Sequence, residues 1–172
     1  SPHISVLLNL YPEHLDYYTH FDAYRAAKAR ITLFQTPFDY FIYRSSDSHV
    51  ARISRRTKAK TIPFRIDQPQ KTGCFIEKEK IVVVVQGKKH TVMSISEVPL
   101  IGRFNIHNVM PETIIGCLLG IPSQTIRQTI KDFMPLEYRL KRVGTYNEII
   151  FYNDPLATIP QATLAALDTL GN

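Results

Sequence analysis

The 172-residue sequence has no tryptophan, two cysteines and no apolar run near the roughly 18 residues that a membrane span requires. No basic segment followed by an apolar core and a cleavage site is present either. Cys74 and Cys117 form neither a metal-ligand spacing nor a disulfide framework, which favours a reducing compartment and two small buried side chains. These absences predict a soluble, cytoplasmic protein with no membrane partner.

Acidic side chains are the minority, with 15 Asp and Glu against 21 Lys and Arg, so the formal net charge is +6. A positive balance favours anionic partners of some kind. The densest basic run, RISRRTKAK at 52–60, has no interleaved aromatic residue and no helix-turn-helix, zinc-finger or RNP pattern. A solvated helix face is the better interpretation, and we predict no nucleic-acid partner.

Three short apolar segments in the first 66 residues are typical of strands that are covered on both faces, as in a parallel sheet. They are HISVLLNL at 3–10, DYFIY at 39–43 and TIPFRI at 61–66. Helical patterns separate them, and the second helix begins at a cap within residues 45–48 and ends near Thr57. This alternation predicts α/β architecture.

The pattern then changes to a small antiparallel meander. Its strands are predicted at 74–77, 80–86 and 89–95. We expect the turns at Lys78-Glu79 and at Gly87-Lys88, because turn residues there interrupt the apolar segments.

Two helices are predicted after the meander. The first begins near residues 105–108 and ends at Gly120, and the second ends before Pro135. The apolar stripe of the second helix consists of Ile126, Ile130 and Phe133. Because proline ends the helical pattern and a strand pattern begins beyond it, we place a domain boundary near residues 134–136.

The last segment repeats the order of the first, with a strand at 148–152, a polar loop and a helix. We expect Thr158 and Gln161 to form a capping box at the start of that helix and Gly171 to end it. Residues 135–172 are too few to bury a domain core of their own. We therefore expect the chain to be a piece of a longer protein.

The first helix raises a question about Lys28. Thr19 followed by Asp22 predicts a helix start, with the helix proper from about Phe21. Lys28 then projects between Phe21 and Tyr24, on the apolar face of the helix. That face is predicted to comprise Phe21, Tyr24, Ala27, Ile31 and Phe34.

Chemically active groups precede this helix. Glu13, His14 and Asp16 follow the first strand at its carboxyl end, where open α/β sheets form their ligand crevice. A lysine in a partly apolar site can lose its proton and act as a nucleophile or become modified. Two interpretations of Lys28 remain, a functional amine beside His14 and a side chain that extends to solvent.

Four segments together resemble the Mur ligase family. NLYPEHLDYYTHFDAYRAAKARI at 9–31 is similar to the family's DHLD motif and the A-K-x-R-I helix after it. GRFNIHN at 102–108 resembles its G-x-H/F-N-x-x-N motif. LEYRLKRVG at 136–144 and FYNDPLATIPQATLAAL at 151–167 resemble two stretches of its last domain. All four occur in the family's order, and NDPLAT is most similar to the D-glutamate-adding members.

The resemblance implies an enzyme of the ADP-forming acid–amino-acid ligase class, acting in peptidoglycan precursor synthesis with ATP and Mg²⁺. The carboxylate of UDP-N-acetylmuramoyl-L-alanine would be phosphorylated to an acyl phosphate and attacked by the amine of D-glutamate. Residues 1–134 would be the C-terminal half of the central ATP-binding domain. Residues 135–172 would be the first strand-helix unit of a Rossmann-like C-terminal domain. We expect a monomer, and we expect this chain alone to be inactive.

The resemblance also implies roles for particular side chains. His14 and Lys28 match catalytic, metal-binding positions, with the lysine carbamylated into an oxygen ligand for Mg²⁺. Asn105 and Asn108 match positions near the adenine of ATP. The remaining matches are Arg139 and Asp154, which hold the ribose and phosphates, and Thr158, which lies close to the substrate.

The sequence departs from the family at several positions. Tyr138 replaces a usual histidine, Lys141 a usual glutamate, and Pro155-Leu156 a frequent Ser-Lys. None of the seven glycines lies in a G-x-x-x-x-G-K-S/T phosphate loop. Two alternatives therefore remain: another Mur-type or folylpolyglutamate-type ligase, and a non-catalytic nucleotide-binding module.

Overall fold

A computed structural model of the chain describes residues 1–137 and 139–171, so Tyr138, one of the departures from the family, lies outside the described residues. Short 3₁₀ turns also occur at Arg30–Thr32 and Ile95–Glu97. The strands and α-helices are β1 (Ile4–Leu7), α1 (Phe21–Ala29), β2 (Tyr40–Arg44), α2 (Ser48–Ser54), β3 (Lys60–Phe64), β4 (Gly73–Glu77), β5 (Lys80–Val85), β6 (Lys88–Ser94), α3 (Arg103–Leu118), α4 (Ser123–Lys131), β7 (Lys141–Tyr146), β8 (Ile149–Asn153) and α5 (Pro160–Leu170).

The first six strands form one sheet in the order β1-β2-β3-β4-β5-β6. β1 to β4 are parallel, and β4, β5 and β6 are antiparallel neighbours. The predicted parallel sheet and the predicted meander are thus continuous, joined through a single residue pair, Phe64 with Cys74. The α/β class is confirmed.

Gly73 makes the junction between β3 and β4 possible. Its backbone has a φ of +114°, and a Cβ added there would lie 2.0 Å from the carbonyl oxygen of Pro63. Only glycine combines that φ with so close an approach of a second backbone.

The two hairpin turns of the meander contain residues with positive φ. Lys78 and Glu79 have φ of 49° and 58°, at the predicted position. The second turn consists of Gln86 and Gly87, with φ of 51° and 74°, one residue earlier than predicted. A two-residue turn of this hand needs positive φ at both positions, and glycine meets that requirement most easily at the second.

The helices cover both faces of the sheet, because successive side chains of a strand point to opposite sides. On β2, Phe41 packs in a cluster with residues of α1 and α2, whereas Ile42 packs in a larger cluster with residues of α3 and α4. Both side chains are fully buried. The sheet region therefore contains two apolar cores.

The start and the end of α1 differ from the prediction. The cap is His20, whose ring nitrogen accepts a hydrogen bond from the Ala23 amide at 3.2 Å, and not Thr19. After Ala29 the chain tightens into the 3₁₀ turn, which changes the rotation per residue. Ile31 and Phe34 therefore leave the buried face, and Phe34 is 72% exposed.

The other helices of the sheet region follow the prediction with shifted ends. α2 is capped by Asp47, inside the predicted range, but ends three residues before Thr57. α3 begins at Arg103, ahead of the predicted start, and the chain leaves it through Gly120 with a positive φ. In α4, Ile126 and Ile130 are buried as predicted. Phe133 lies beyond the helix end and is 48% exposed.

The last unit contains a strand that the sequence analysis missed. β8 lies where a strand was predicted, and β7 pairs with it antiparallel. α5 begins at Pro160 after an Ile159 cap that makes no side-chain hydrogen bond, so the predicted Thr158 cap is wrong. Proline provides the fixed φ of the first helical turn, which needs no donor there. Gly171 ends the helix in the left-handed conformation, as predicted.

Among the described residues, no helix has both the length and the apolarity that crossing a membrane requires.

Candidate functional site

The loop after β1 is tightly turned at His14. The φ of His14 is +56°, and its carbonyl oxygen accepts hydrogen bonds from the amides of Tyr17 and Tyr18 at 3.1 and 2.9 Å. A side chain other than glycine in this left-handed conformation costs about 1 kcal/mol. Backbone strain of this kind is concentrated at functional positions, so the geometry singles out His14 within its loop.

Both candidate metal-site residues, His14 and Lys28, lie near the ring of Tyr24. Tyr24 is buried on α1, and the His14 ring lies 5.9 Å from it, centroid to centroid. The ammonium nitrogen of Lys28 lies 5.4 Å from the same centroid. The fold thus brings His14 and Lys28, which are far apart on the unfolded chain, to one aromatic ring.

Lys28 is exposed to solvent, so the expected inward-facing position on an apolar stripe is wrong. It stays beside Tyr24, four residues earlier on the same helix face, but as an exposed side chain and not a buried one. The cation over the Tyr24 ring remains a favourable interaction, of about 0.5–1 kcal/mol for an exposed pair.

A concave site of about 850 Å³ forms a cleft in the molecule. It lies between α3, the carboxyl ends of β1 and β2, and the segments that flank the β7–β8 hairpin. All four residues expected to bind the nucleotide line it, although they come from three separate parts of the chain. They are Asn105, Asn108, Arg139 and Asp154.

The two asparagines of α3 are held in an ordered chain of hydrogen bonds. The side-chain Nδ2 of Asn105 donates to the backbone carbonyl of Ile101 at 2.7 Å. The side-chain Nδ2 of Asn108 donates to the side-chain Oδ1 of Asn105 at 3.1 Å. Both side chains are therefore fixed on one helix face at the wall of the cleft.

Asp154 connects the two arms of the hairpin. One of its carboxylate oxygens accepts a hydrogen bond from the backbone amide of Leu140 at 3.2 Å. Leu140 is buried, whereas the neighbouring Arg139 is exposed at the edge of the cleft. This contact places a carboxylate and a guanidinium group at the same edge of the cleft.

Thr158 does not line that cleft, although Ala157 and Ile159 do, and it contacts the loop of His14. Its hydroxyl donates to a carboxylate oxygen of Glu13 at 3.5 Å. Among the predicted site residues, His14, Lys28 and Thr158 are thus grouped around the β1–α1 loop, and the other four around the cleft.

His107 is a cleft residue that the sequence analysis missed. It is 8% exposed, and burial together with the nearby Arg44 and Arg103 cations lowers its pKa to about 4, while Asp67 opposes this weakly. In the same cleft, loss of solvent raises the pKa of the Glu112 carboxyl. His107 lies inside the GRFNIHN segment, so the motif located it, but its burial depends on tertiary packing.

The described residues do not contain a complete divalent-cation site. No group of three or more His, Cys, Asp or Glu side chains within the described ranges is placed to hold a metal ion. An imidazole and an amine are also poor donors for Mg²⁺, which prefers oxygen. His14 and Lys28 therefore fit Mg²⁺ only as part of a site, and only if Lys28 acquires oxygen atoms.

An open α/β sheet with a cleft at the carboxyl ends of its parallel strands is typical of a nucleotide-binding domain. Residues 1–115 match the family model described as the Mur ligase middle domain. The chain belongs to the Mur ligase family.

Curated relatives match along almost the whole chain. A UDP-N-acetylmuramoylalanine--D-glutamate ligase of Christiangramia forsetii is 37% identical over 99% of this chain and 39% of its own length. One of Streptococcus equi subsp. zooepidemicus is 35% identical over 100% of this chain and 37% of its own length. The chain thus spans about two fifths of the length of these relatives.

Solved structures of Mur ligases share the fold. MurF from Acinetobacter baumannii superposes with a TM-score of 0.75 at 19% identity, over 98% of this chain and 37% of that one. The UDP-N-acetylmuramate-alanine ligase MurC from Thermotoga maritima gives a TM-score of 0.65 at 18% identity, over 99% and 38%. At these identities the likeness concerns the fold alone.

Proposed function

We propose that the full-length protein is an ATP- and Mg²⁺-dependent ligase that adds D-glutamate to UDP-N-acetylmuramoyl-L-alanine through an acyl phosphate, the MurD type of the family. The observation that carries the proposal is the convergence of Asn105, Asn108, Arg139 and Asp154 on one cleft. The names of the curated relatives support the choice of D-glutamate.

We also propose the division of the chain. Residues 1–134 form the C-terminal half of the central ATP-binding domain, and residues 135–172 the first strand-helix unit of the C-terminal domain. Pro135, after the end of α4, and the separate β7–β8 sheet support a boundary between them.

The cleft binds ATP by complementary polar contacts in this proposal. Asn105 and Asn108 are positioned by their own hydrogen bonds, so their remaining donor and acceptor positions read the edge of adenine with little loss of side-chain entropy. Arg139 pairs with the phosphates, since its guanidinium suits phosphate oxygens. Asp154 accepts hydrogen bonds from the ribose hydroxyls.

His14 and Lys28 form this chain's part of the reaction centre. The Lys28 amine adds to the carbon of CO₂ and loses a proton, which leaves a carbamate with two oxygen atoms. That carbamate and the His14 imidazole would hold Mg²⁺ together with groups from the rest of the protein. Bound there, Mg²⁺ would supply positive charge to offset that of the transferred phosphoryl group.

Thr158 is the proposed contact to the substrate. Its hydroxyl lies against Glu13, next to His14, and so at the point where the two units of the chain meet. A hydroxyl there can donate to an oxygen of the bound precursor or amino acid after exchanging its partner Glu13.

The test is an activity assay of the full-length protein with the Lys28→Ala substitution. We expect phosphate release to fall at least about 100-fold, since the carbamate oxygens are lost, and acetate to restore part of the activity. Lys80→Ala, another exposed lysine, is the matched control and should keep full activity. Unchanged activity of the Lys28 variant would remove the lysine from the mechanism.

An amino-acid panel with the same protein separates the family's members. D-glutamate should be the preferred acceptor of the acyl group. Turnover with L-alanine, a diamino acid or L-glutamate instead would assign the protein to a sibling ligase. Absence of turnover with every amino acid, in a protein that binds ATP, would identify a non-catalytic module.

A further inference from the structure

A second concave site lies on the other side of the sheet from the nucleotide cleft. It is a groove of about 400 Å³ between α1 and α2, which pack on the face opposite to α3 and α4. We call it the basic groove, because five cationic side chains line it against one carboxylate, Asp22. The cations are Arg25, Arg30, Arg52, Arg56 and Lys58.

Only one of these cations is neutralised within the described part of the chain. Arg25 forms an ion pair with Asp22 at 3.0 Å and also lies 3.3 Å from the ring nitrogen of His49. The other four cations form no ion pair with the described carboxylates and are exposed. Unpaired like charges around one concavity repel each other, and a bound anion would relieve this repulsion.

Helix dipoles do not account for the cluster. The ends of α1 and α2 each carry about half a negative elementary charge, which one cation per helix would balance. Yet Arg30 follows α1, and Arg52, Arg56 and Lys58 surround the end of α2. The positive charge in the groove is therefore greater than the two helix ends can compensate.

The shape and the chemistry of the groove limit its ligand. Its volume is within the range of roughly 300–1,000 Å³ found for small-molecule pockets. Its lining contains no Phe, Tyr or Trp and a single imidazole, that of His49, which packs against Phe21, so it offers no row of rings on which successive bases could stack. The guanidinium groups match the oxygens of phosphate, with which they can form paired hydrogen bonds.

We propose that the basic groove binds a small anion with two or more adjacent phosphate groups, at a site separate from the nucleotide cleft. Arg52 and Arg56 from one wall and Arg30 from the other hold the phosphates, while Arg25 is kept in place by Asp22. This site does not depend on the proposed function, since it shares no residue with the cleft.

The probe is inorganic pyrophosphate, titrated calorimetrically into the full-length protein and into two variants, Arg56→Gln in the groove and Arg139→Gln in the nucleotide cleft. Binding that Arg56→Gln weakens and Arg139→Gln leaves unchanged reports on the groove. We expect one such pyrophosphate per chain, with an affinity that falls as salt is added because exposed charges are screened. Absence of binding at low salt would overturn the proposal.

Two neighbouring arginines provide a matched pair of variants. Arg56→Gln, within the groove, should weaken pyrophosphate binding about tenfold, and Arg52→Gln with Arg56→Gln about 100-fold. Arg55→Gln removes the same charge from the same helix end but does not line the groove, and should change the affinity less than twofold. Equal effects of Arg55→Gln and Arg56→Gln would mean diffuse charge attraction and would overturn the assignment.

Further ligands test the class of anion. Orthophosphate should bind at least tenfold more weakly than pyrophosphate, and UDP should compete if the diphosphate of a nucleotide is accepted. Failure of UDP to compete would restrict the site to free polyphosphates, as the small size of the groove favours. A single-stranded oligonucleotide should bind more weakly than pyrophosphate. If it binds more tightly and is equally sensitive to Arg56→Gln, the ligand of the groove is nucleic acid and the proposal of a small anion is overturned.

Discussion

The six-stranded sheet region and the β7–β8–α5 unit differ sharply in how they bury apolar side chains. In the sheet region Phe41, Ile42 and Phe64 are fully buried between strands and helices. In the described part of the last unit, residues 139–171, only Leu140 and Ala166 are buried. Every residue of β7 is exposed, including Val143 at 61%.

This difference shows that strands and a helix can form in a unit that buries almost no apolar side chains of its own. The hairpin satisfies its backbone hydrogen bonds by pairing β7 with β8, but a two-stranded hairpin with one helix is too small to build a core. Large exposed apolar side chains in one unit mark a surface that can pack against another element. In β8 and α5 these side chains are Ile149, Ile150, Phe151, Leu164 and Leu167.

The largest expected effect tests whether the sheet region alone has a core. Phe64→Ala in the 172-residue chain should lower the free energy of unfolding by about 3–5 kcal/mol, because it leaves a cavity at a fully buried site. Phe151→Ala, at a site that is 48% exposed, should cost less than about 1 kcal/mol. Urea titrations followed by far-UV circular dichroism measure both free energies. Equal losses would contradict the conclusion that only the sheet region has an apolar core.

A second prediction concerns pH, since histidine occurs in the sheet region but not in residues 135–172. The pKa of His107 is about 4 in the fold, against an ordinary 6.5, mainly because of burial. Between these values the unfolded chain binds the additional proton, so stability should fall as pH drops from 6.5 towards 4. The contribution is up to about 1.4 kcal/mol per pH unit.

The substitution His107→Gln isolates this contribution. Urea titrations between pH 7 and 4 should give a flatter dependence for the variant than for the unsubstituted chain. The two proteins should be compared at each pH, so that the loss of packing, which is present at pH 7, is subtracted. Parallel curves over the whole range would show that His107 accepts its proton equally well in both states.

The smallest predicted change in the free energy of unfolding concerns the residues at the starts of α2 and α5. Asp47 accepts hydrogen bonds from the amides of His49, Val50 and Leu10, so Asp47→Ala should cost about 1–2 kcal/mol. Thr158→Val should cost less than about 0.5 kcal/mol, because the side chain caps nothing in α5. A loss for Thr158→Val as large as for Asp47→Ala would restore the capping role that the structure removes.

Most elements of the sheet region could be predicted from the sequence, because period and turn chemistry act locally. The continuous apolar segments predicted β1, β2 and β3. The apolar segments interrupted by turn residues predicted β4, β5 and β6. β7 was missed because its sequence, KRVGTY, has neither pattern and every residue in it is exposed. The end of α1 was missed because the 3₁₀ turn at Arg30–Thr32 has no distinctive residue to signal it.

The site could be predicted in composition but not in arrangement. Motifs located His14, Lys28 and the four cleft residues, since each lies in a recognisable segment. The exposure of Lys28 on the face that also contains the buried Tyr24 is a property of tertiary packing, as are the burial of His107 and its proximity to the charge of Arg44. Contacts between distant segments, such as Thr158 with Glu13, leave no trace in local sequence.

The close approach at Gly73 has a consequence for the whole sheet. Any larger side chain there would meet the Pro63 carbonyl and force the two backbones apart, at the position where a single residue pair connects the parallel and the antiparallel strands. Even the methyl group of alanine would therefore disrupt the β3–β4 pairing that joins the parallel strands to the antiparallel strands. The continuity of the sheet therefore depends on the absence of a Cβ atom at residue 73.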